Sequence, residues 1–332
     1  MAAAEPIANE EAAAAFGPML PERSIMLAVS GGPDSMALMG LVARWRKGWP
    51  QGPEVIVATV NHGLRPEAVD ECRLVVTEAE RLCLEAITLA WAGPLSGRGT
   101  QEAARAARYA LLEEAAGRHG AGAIVTAHHA DDQVETVLSR LLRGSGPAGL
   151  AGMRHVRVLG QGARLIRPCL GWPKARLIAT AQALGLPFVC DPSNADPKYE
   201  RTRLRADMAR FDGLGLTRAR LALLAARAAR ADDALAAASA SAEDRHRSGS
   251  GRGYGPGLFD ETEEVLIRVI QAALGGATLT RLERLERLAC ELRAAFTEGR
   301  ELRRSAAGHI VELDRTGVLR FRKEPARRRG RP

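Results

Sequence analysis

Residues 30–35 read Ser-Gly-Gly-Pro-Asp-Ser. Two adjacent glycines let the backbone turn tightly, so that successive N–H groups face one oxyanion. A helix starting at once behind the turn adds the positive end of its dipole. Ser30 and Ser35 bring hydroxyl donors. Ser30, Gly31, Gly32, Pro33, Asp34 and Ser35 therefore form the candidate polyphosphate cradle. Asp34 repels phosphate, so its place here points to a divalent cation or to a cationic group that it orients. The loop has neither the Lys nor the spacing of a Walker A motif, and it is not GxGxxG.

A second constellation lies at 128–135, His-His-Ala-Asp-Asp-Gln-Val-Glu. Asp132 and Glu135 are three apart and share one face of a predicted helix. Such a carboxylate pair binds an amine, an ammonium or another cation. His128, at the end of a predicted strand, stands where parallel sheets bind ligands and can handle a proton. A metal site built from His128, His129, Asp131 and Asp132 is the weaker reading, because neighbours on a strand point to opposite sides. Asp131 falls at a helix start and reads as a cap. Arg108, with Arg105 one turn before it, can neutralise phosphate charge from a predicted helix. Asn61 and His62 end a β-branched run. Arg143 precedes a Gly-rich stretch, and Arg201, Arg203 and Arg205 form a close basic cluster.

The elements that must carry these residues alternate. Buried strands are predicted at 24–29, 54–60, 86–91 and 123–127, with helices at 36–45, 67–83, 101–117 and 133–143 between and after them. This order predicts an α/β fold with a parallel, Rossmann-like sheet covered on both faces. Residues 144–152, GSGPAGLAG, read as a loop closing that module. Further on, a short strand near Leu165 precedes a helix at 174–185 and a polar loop, DPSNADP. From 217 to 245 the chain is Ala-, Leu- and Arg-rich and helical. Helices near 261–274 and 280–296 follow, the second with Leu282, Leu285, Leu288, Leu292 and Phe296 on one stripe. Strand-like runs at 309–313 and 317–321 lead into a basic tail read as disordered.

The 332 residues are 46% hydrophobic and 26% charged, which fits a folded core and excludes a wholly disordered chain. No apolar run is long enough for a membrane span, and the acidic, Ala-rich start lacks the features of a secretory signal. Five cysteines without a CxxC pair point to a reducing compartment, taken as the cytoplasm, with neither a disulfide framework nor a structural zinc. The net charge of +8 is uneven: residues 1–150 carry 13 basic and 18 acidic side chains, residues 151–332 carry 34 and 21. Only four of the 47 bases are Lys. An acidic half beside an Arg-rich half predicts a chemical module next to a polyanion-binding one.

The loop at 30–35 resembles the pyrophosphate-binding loop of enzymes that cleave ATP between the α and β phosphates and adenylate a carbonyl oxygen. The further motifs NHGLRPEAVDE (61–71), ARAARYALLEE (104–114), TAHHADDQVETVLSRLLRGSGPAGLAGM (126–153), RPCL (167–170) and DPSNADPKYERTRLR (191–205) follow in order. Together they resemble the tRNA(Ile)-lysidine synthetases over residues 24–212. The resemblance implies an adenine-nucleotide alpha-hydrolase-like fold, ATP and Mg²⁺, with Asp34 as the metal ligand. It implies ATP activation of the wobble cytidine of an isoleucine tRNA with a CAU anticodon, then attack by free L-lysine and release of AMP. Lysine's ammonium, with a pKa of about 10.4, must lose a proton before it attacks. Asp132 and Glu135 would orient it, and Arg108 would meet phosphate. Asn61 and His62 would lie near the adenine, and Arg143, Arg201, Arg203 and Arg205 near phosphate or RNA. Three positions depart from the family's habit: Ala68 for Ser, Thr202 for Asn and Cys169 for Leu.

The domains expected are a catalytic ATP-binding one at 1–212 and a mainly helical, basic one at 213–332 that grips tRNA backbone. The rival reading is tRNA thiolation, which uses an adenylating loop of the same kind but needs paired cysteines. A silent tRNA-binding module is disfavoured by the intact loop together with Asp132 and Glu135.

Overall fold

Ser24–Ala28 (β1) is apolar apart from its first residue and buried nearly throughout, as a central strand covered on both faces must be. Alternate side chains serve two cores: Ile25 and Leu27 on one face, Met26 on the other. The computed structural model describes residues 4–61, 63, 67–91, 100–160, 162–189, 200–249, 253–275 and 282–325. It falls into two units, Met1–Arg140 with Gly152–Leu223, and Leu141–Ala151 with Leu224–Pro332.

In the first unit α1 (Asn9–Ala15), β1, α2 (Pro33–Gly48), β2 (Glu54–Asn61), α3 (Ala68–Arg81), β3 (Glu85–Ala90), α4 (Thr100–Arg118), β4 (Ala123–Val125) and α5 (Ala130–Leu142) follow in order. After α6 (Pro147–Leu150), which belongs to the second unit, come β5 (Val156–Val158), β6 (Arg164–Ile166), α7 (Lys174–Ala183), α8 (Glu200–Gly213) and the start of α9 (Arg218–His246). The sheet order is β3-β2-β1-β4-β6-β5. All pairs are parallel except β5 on β6, an antiparallel edge absent from the expected all-parallel sheet.

One face packs against α2, where Met36, Leu38, Met39, Leu41 and Val42 are all buried. Each such side chain contributes about 1.5–3 kcal/mol of burial free energy. Gly40 lets α2 pack closely there: a Cβ would lie 2.6 Å from a methyl of Leu186, which would have to move. The N-terminal segment, unassigned in the sequence reading, is tied to α7: the Ile7 N–H donates to Thr180 Oγ1 at 2.9 Å and Arg176 pairs with Glu11 at 2.7 Å.

The second unit holds most of α9, the helices α10 (Glu263–Ala273) and α11 (Leu282–Thr297), and a four-stranded antiparallel sheet. The strands are β7 (Gly253–Tyr254), β8 (Leu302–Ala306), β9 (His309–Leu313) and β10 (Leu319–Lys323), in the order β7-β10-β9-β8. Leu285, Leu288 and Leu292 are buried as their stripe predicts, and Phe296 stacks on Phe259 with centroids 4.5 Å apart. Leu282, at the helix start, is 37% exposed. The glycine-rich 144–152 stretch contains α6 and belongs, up to Ala151, with this unit. The basic tail read as disordered falls mostly outside the described residues. Among the described residues no helix is long and apolar enough to cross a membrane.

Candidate functional site

The loop at 30–35 joins β1 to α2 at the carboxyl edge of the sheet. Gly31 has φ +80°, which strains any residue with a Cβ. Its carbonyl accepts the Val189 N–H at 2.9 Å. Gly32 precedes the helix and Pro33 opens it, so the first N–H groups of α2 face outward, as an anion site needs. Ser35 Oγ donates to the Gly32 carbonyl at 3.0 Å and accepts the Ser30 N–H at 3.1 Å. That commits Ser35 to shaping the loop. The Ser30 hydroxyl, 3.3 Å from Ser35 Oγ, is the one that can turn toward a bound anion.

Asp34 sits in the first turn of α2, and its two oxygens differ. Oδ2 lies 3.6 Å from His129 Nε2 and 3.5 Å from Lys174 Nζ. Oδ1 is buried and has no hydrogen-bond partner among the described residues. A buried acceptor without a donor is costly and calls for a ligand. A divalent cation fits that oxygen. No group of three or more His, Cys, Asp or Glu among the described residues is arranged to hold a metal. An ion on Asp34 would therefore complete its shell with phosphate oxygens and water, the usual habit of Mg²⁺.

His129 is the centre of the second constellation and only 2% exposed. β4 ends at Val125, so 126–129 are not pleated, and the opposite-sides argument for the two histidines does not apply. His129 instead caps α5. Its N–H donates to Asp132 Oδ2 at 3.1 Å and its Nδ1 accepts the Asp132 N–H at 3.3 Å, the reciprocal pattern of a capping box. Its Nε2 lies 3.4 Å from Asp132 Oδ2, and Asp131 is 3.8 Å from Nδ1. Burial opposes a charge on this ring, but the hydrogen bond to Asp34 and the fields of Asp132, Asp34 and Asp131 outweigh it and hold the pKa above its ordinary value. His128, chosen from the sequence, is also buried, with Nδ1 2.8 Å from Thr126 Oγ1. The structure thus brings His129, rather than His128, against the carboxylates.

Glu135, one turn beyond Asp132, is 3% exposed and gripped by Arg205 through both oxygens, the Nη2–Oε2 contact being 3.2 Å. Arg205 comes from α8, which the sequence reading missed. On that helix Arg203 lies about 160° round from Arg205, so those two face different sides, while Arg201 is one turn before Arg205. Arg203 is exposed, and Arg201 lies on the same helix. Asp131 caps a different helix from the one expected. Its Oδ2 accepts the Lys174 N–H at the start of α7 at 2.8 Å, and its Oδ1 accepts from Arg218 at 3.1 Å.

A cavity of about 230 Å³ opens among these groups, lined by His129, Asp131, Val134, Glu135, Lys174, Arg205, Met208 and Arg218. Of the lining residues, Lys174 and Arg218 were not singled out from the sequence, and His129 entered only in the weaker metal-site reading. Lys174 had a signal, as one of four Lys in a chain of 47 bases. The other two depend on long-range packing.

Arg108 lies on α4 with a buried Nε that has no hydrogen-bond partner among the described residues, as a group awaiting an acceptor would. Asn61 ends β2, and its Oδ1 accepts the Gly63 N–H at 2.9 Å. His62 lies outside the described residues. Arg143 is exposed in the turn after α5 and belongs to the second unit. The four described cysteines are all unpaired, and burial pushes the Cys169 thiol, behind Asp34, far up.

A parallel sheet with a glycine-turned anion loop after its first strand, and a carboxylate beside that loop, defines the PP-loop class of ATP-binding α/β domains. The PP-loop domain family matches residues 4–210. More narrowly, the chain belongs to the tRNA(Ile)-lysidine synthase family. It is 48% identical over 317 residues to the tRNA(Ile)-lysidine synthase of Methylobacterium nodulans, covering 92% of each chain. Identity to the same enzyme of Methylobacterium sp. strain 4-46 is 46% over 345 residues, covering 98% of each. Among solved structures, the U34-tRNA thiolase NcsA of Methanococcus maripaludis superposes with a TM-score of 0.55 at 16% identity, over 66% of this chain and 77% of that one. That likeness is one of fold.

Proposed function

We propose that this chain uses ATP to join free L-lysine to the wobble cytidine of an isoleucine tRNA with a CAU anticodon, so that the tRNA reads AUA in place of AUG. One observation carries the reading. A buried carboxylate, Glu135, lines a small cavity that Lys174, in contact with the phosphate-loop carboxylate Asp34, also lines. An amine site and a nucleotide-activating site are thereby adjacent.

In the first step the cytidine carbonyl oxygen attacks the α phosphorus, the bond to the β phosphate's bridging oxygen breaks, and diphosphate leaves. The loop N–H groups of Gly31, Gly32, Asp34 and Ser35 and the Ser30 hydroxyl hold the polyphosphate, and Arg108 meets its negative charge. Mg²⁺, when bound at Asp34 Oδ1, supplies neutralisation of the polyphosphate. In the second step lysine's amine attacks the activated carbon and AMP leaves. Glu135 and Asp132 orient the amine, and the cluster around His129 offers the bases that take its proton. The Arg-rich half after residue 212 positions the tRNA through phosphates, and the wobble base is splayed out to reach the α phosphate. The work is that of the cytoplasm, where tRNA and free lysine meet.

The test is transfer of radiolabelled lysine into a CAU-anticodon isoleucine tRNA transcript, with and without ATP, beside a wobble-uridine control. ATP-dependent label confined to the cytidine tRNA is expected. ATP cleavage to AMP without label would refute lysine as the acceptor and revive the thiolation reading, against which the unpaired, buried Cys169 speaks.

A further inference from the structure

Lys174 has no place in the scheme above, yet its position is built with care. It is the first residue of α7, and its own N–H is fixed by Asp131 Oδ2 at 2.8 Å. Asp131 is in turn held by Arg218 at 3.1 Å. Further along α7, in its first turn and its middle, Arg176 and Thr180 tie the helix to the N-terminal segment. The Cα of Lys174 is thus pinned from several sides. Its ammonium reaches Asp34 Oδ2 at 3.5 Å, beside the phosphate loop, and still lines the cavity, with the side chain 37% exposed. A contact of that length to one oxygen does not saturate three ammonium donors. The positive end of α7 adds to the field at the same place.

We infer that Lys174 is a further catalytic residue of the activation step, donating to a polyphosphate oxygen beside the α–β bond as that bond breaks. The inference rests on the reading that ATP is cleaved at this loop. The new bond joins the acceptor oxygen to the α phosphorus, and the broken one sends its electron pair to diphosphate. Lys174 keeps its proton throughout. Its charge is matched to negative charge that grows on the leaving oxygens, which is where a fixed cation lowers a barrier.

The experiment uses the full chain with tRNA, ATP and Mg²⁺, and reads diphosphate release. Lys174→Met is expected to slow it by about 10²–10³-fold, the loss usual for one fixed donor at a developing charge. Saturating Mg²⁺ should not restore the rate. Full rescue by Mg²⁺ would mean that Lys174 only holds Asp34 in place, and would overturn the inference. A rate within about threefold of the parent would overturn it too. Lys174→Gln repeats the test with a polar tip, should the Met variant melt early.

A second readout needs no turnover. With only four lysines in the sequence, amine labelling followed by mass spectrometry resolves each one. Mg²⁺ with α,β-methylene-ATP should protect Lys174 and leave exposed Lys323 unchanged. Equal labelling of Lys174 with and without the analogue would overturn the inference. A parent chain that cleaves ATP without transferring lysine refutes the lysine reading and leaves this one standing. A parent-like Lys174→Met does the reverse.

Discussion

Glu135→Gln keeps the shape of the side chain and removes its charge. The carboxylate is 3% exposed and Arg205 grips both of its oxygens. The Arg205 guanidinium already holds the place that lysine's ammonium would take on the proposed reading, so binding would exchange one cation for another. A charge-assisted hydrogen bond contributes about 1.5–3 kcal/mol and a neutral one about 0.5–1.5 kcal/mol. The amide should therefore weaken the lysine contact by about 1–2 kcal/mol, a rise of about 5- to 30-fold in the KM for lysine. Glu135 stands on α5, outside the loop at 30–35, so the KM for ATP should move by less than about twofold. Stability should fall only a little. The Arg205 side chain is 39% exposed and can turn to water, which places the cost near 1 kcal/mol, below the 3–5 kcal/mol of a fully buried broken pair. The assay is initial-rate transfer of labelled lysine, titrating lysine at saturating ATP and then the reverse, with a melting curve of each protein. An equal rise in both KM values, or an unmoved KM for lysine, would refute the placing of lysine on Glu135.

Asp34→Ala removes the orphaned Oδ1, and diphosphate release should fall by at least about 10²-fold while tRNA affinity by filter binding stays within about twofold; near-parent turnover would sink the cation assignment. Gly31→Ala forces a Cβ into φ +80° and should cost about 1–2 kcal/mol, read as an earlier urea midpoint together with weaker ATP binding. The raised pKa of His129 means that the folded state binds its proton more tightly than the unfolded chain does. Its contribution to stability is complete below about pH 6.5 and is lost as pH rises through the folded value. In chelated protein, His129→Gln should flatten that part of the stability–pH curve, and an unchanged curve would place the ring's charge elsewhere. Arg303, Arg320 and Arg322 stand on the outer face of β8 and β10, with side chains 70%, 44% and 65% exposed. If they meet tRNA phosphates, changing all three to Gln should reduce the slope of log K against log salt by about 2–3, and an unchanged slope would move the footprint off this sheet.

The parallel sheet was legible because its strands are short, β-branched and separated by helical periodicity, which leaves few alternatives. The loop at 30–35 was legible because Gly-Gly-Pro-Asp has one local use after a buried strand. What escaped was whatever depends on long-range packing. β5 is three residues long with one side half-exposed, and carries no period of its own. α8 is so polar that no apolar stripe marks it, and only its helical turn shows that Arg203 and Arg205 face different sides. The two histidines were argued from a strand that stops at Val125, and a helix cap reverses which ring faces the site. Asp131 was rightly seen as a capping residue, but the helix it caps lies 43 residues further along the chain, a pairing that local pattern cannot supply.

The charges around the cavity explain why these pairings matter together. Four carboxylates, Asp34, Asp131, Asp132 and Glu135, face four basic side chains, His129, Lys174, Arg205 and Arg218. With the His129 ring neutral, as its acceptor role at Nδ1 requires, the carboxylates outnumber the cations by one. A cation brought in with ATP would offset that charge, and Asp34 Oδ1 is the oxygen left open for it. Lysine brings both signs. On the proposed reading its ammonium would take Glu135 and free the guanidinium of Arg205 for a negative group, either the lysine carboxylate or a phosphate of the activated tRNA. The Arg205–Glu135 ion pair would then supply the cation that the second step requires.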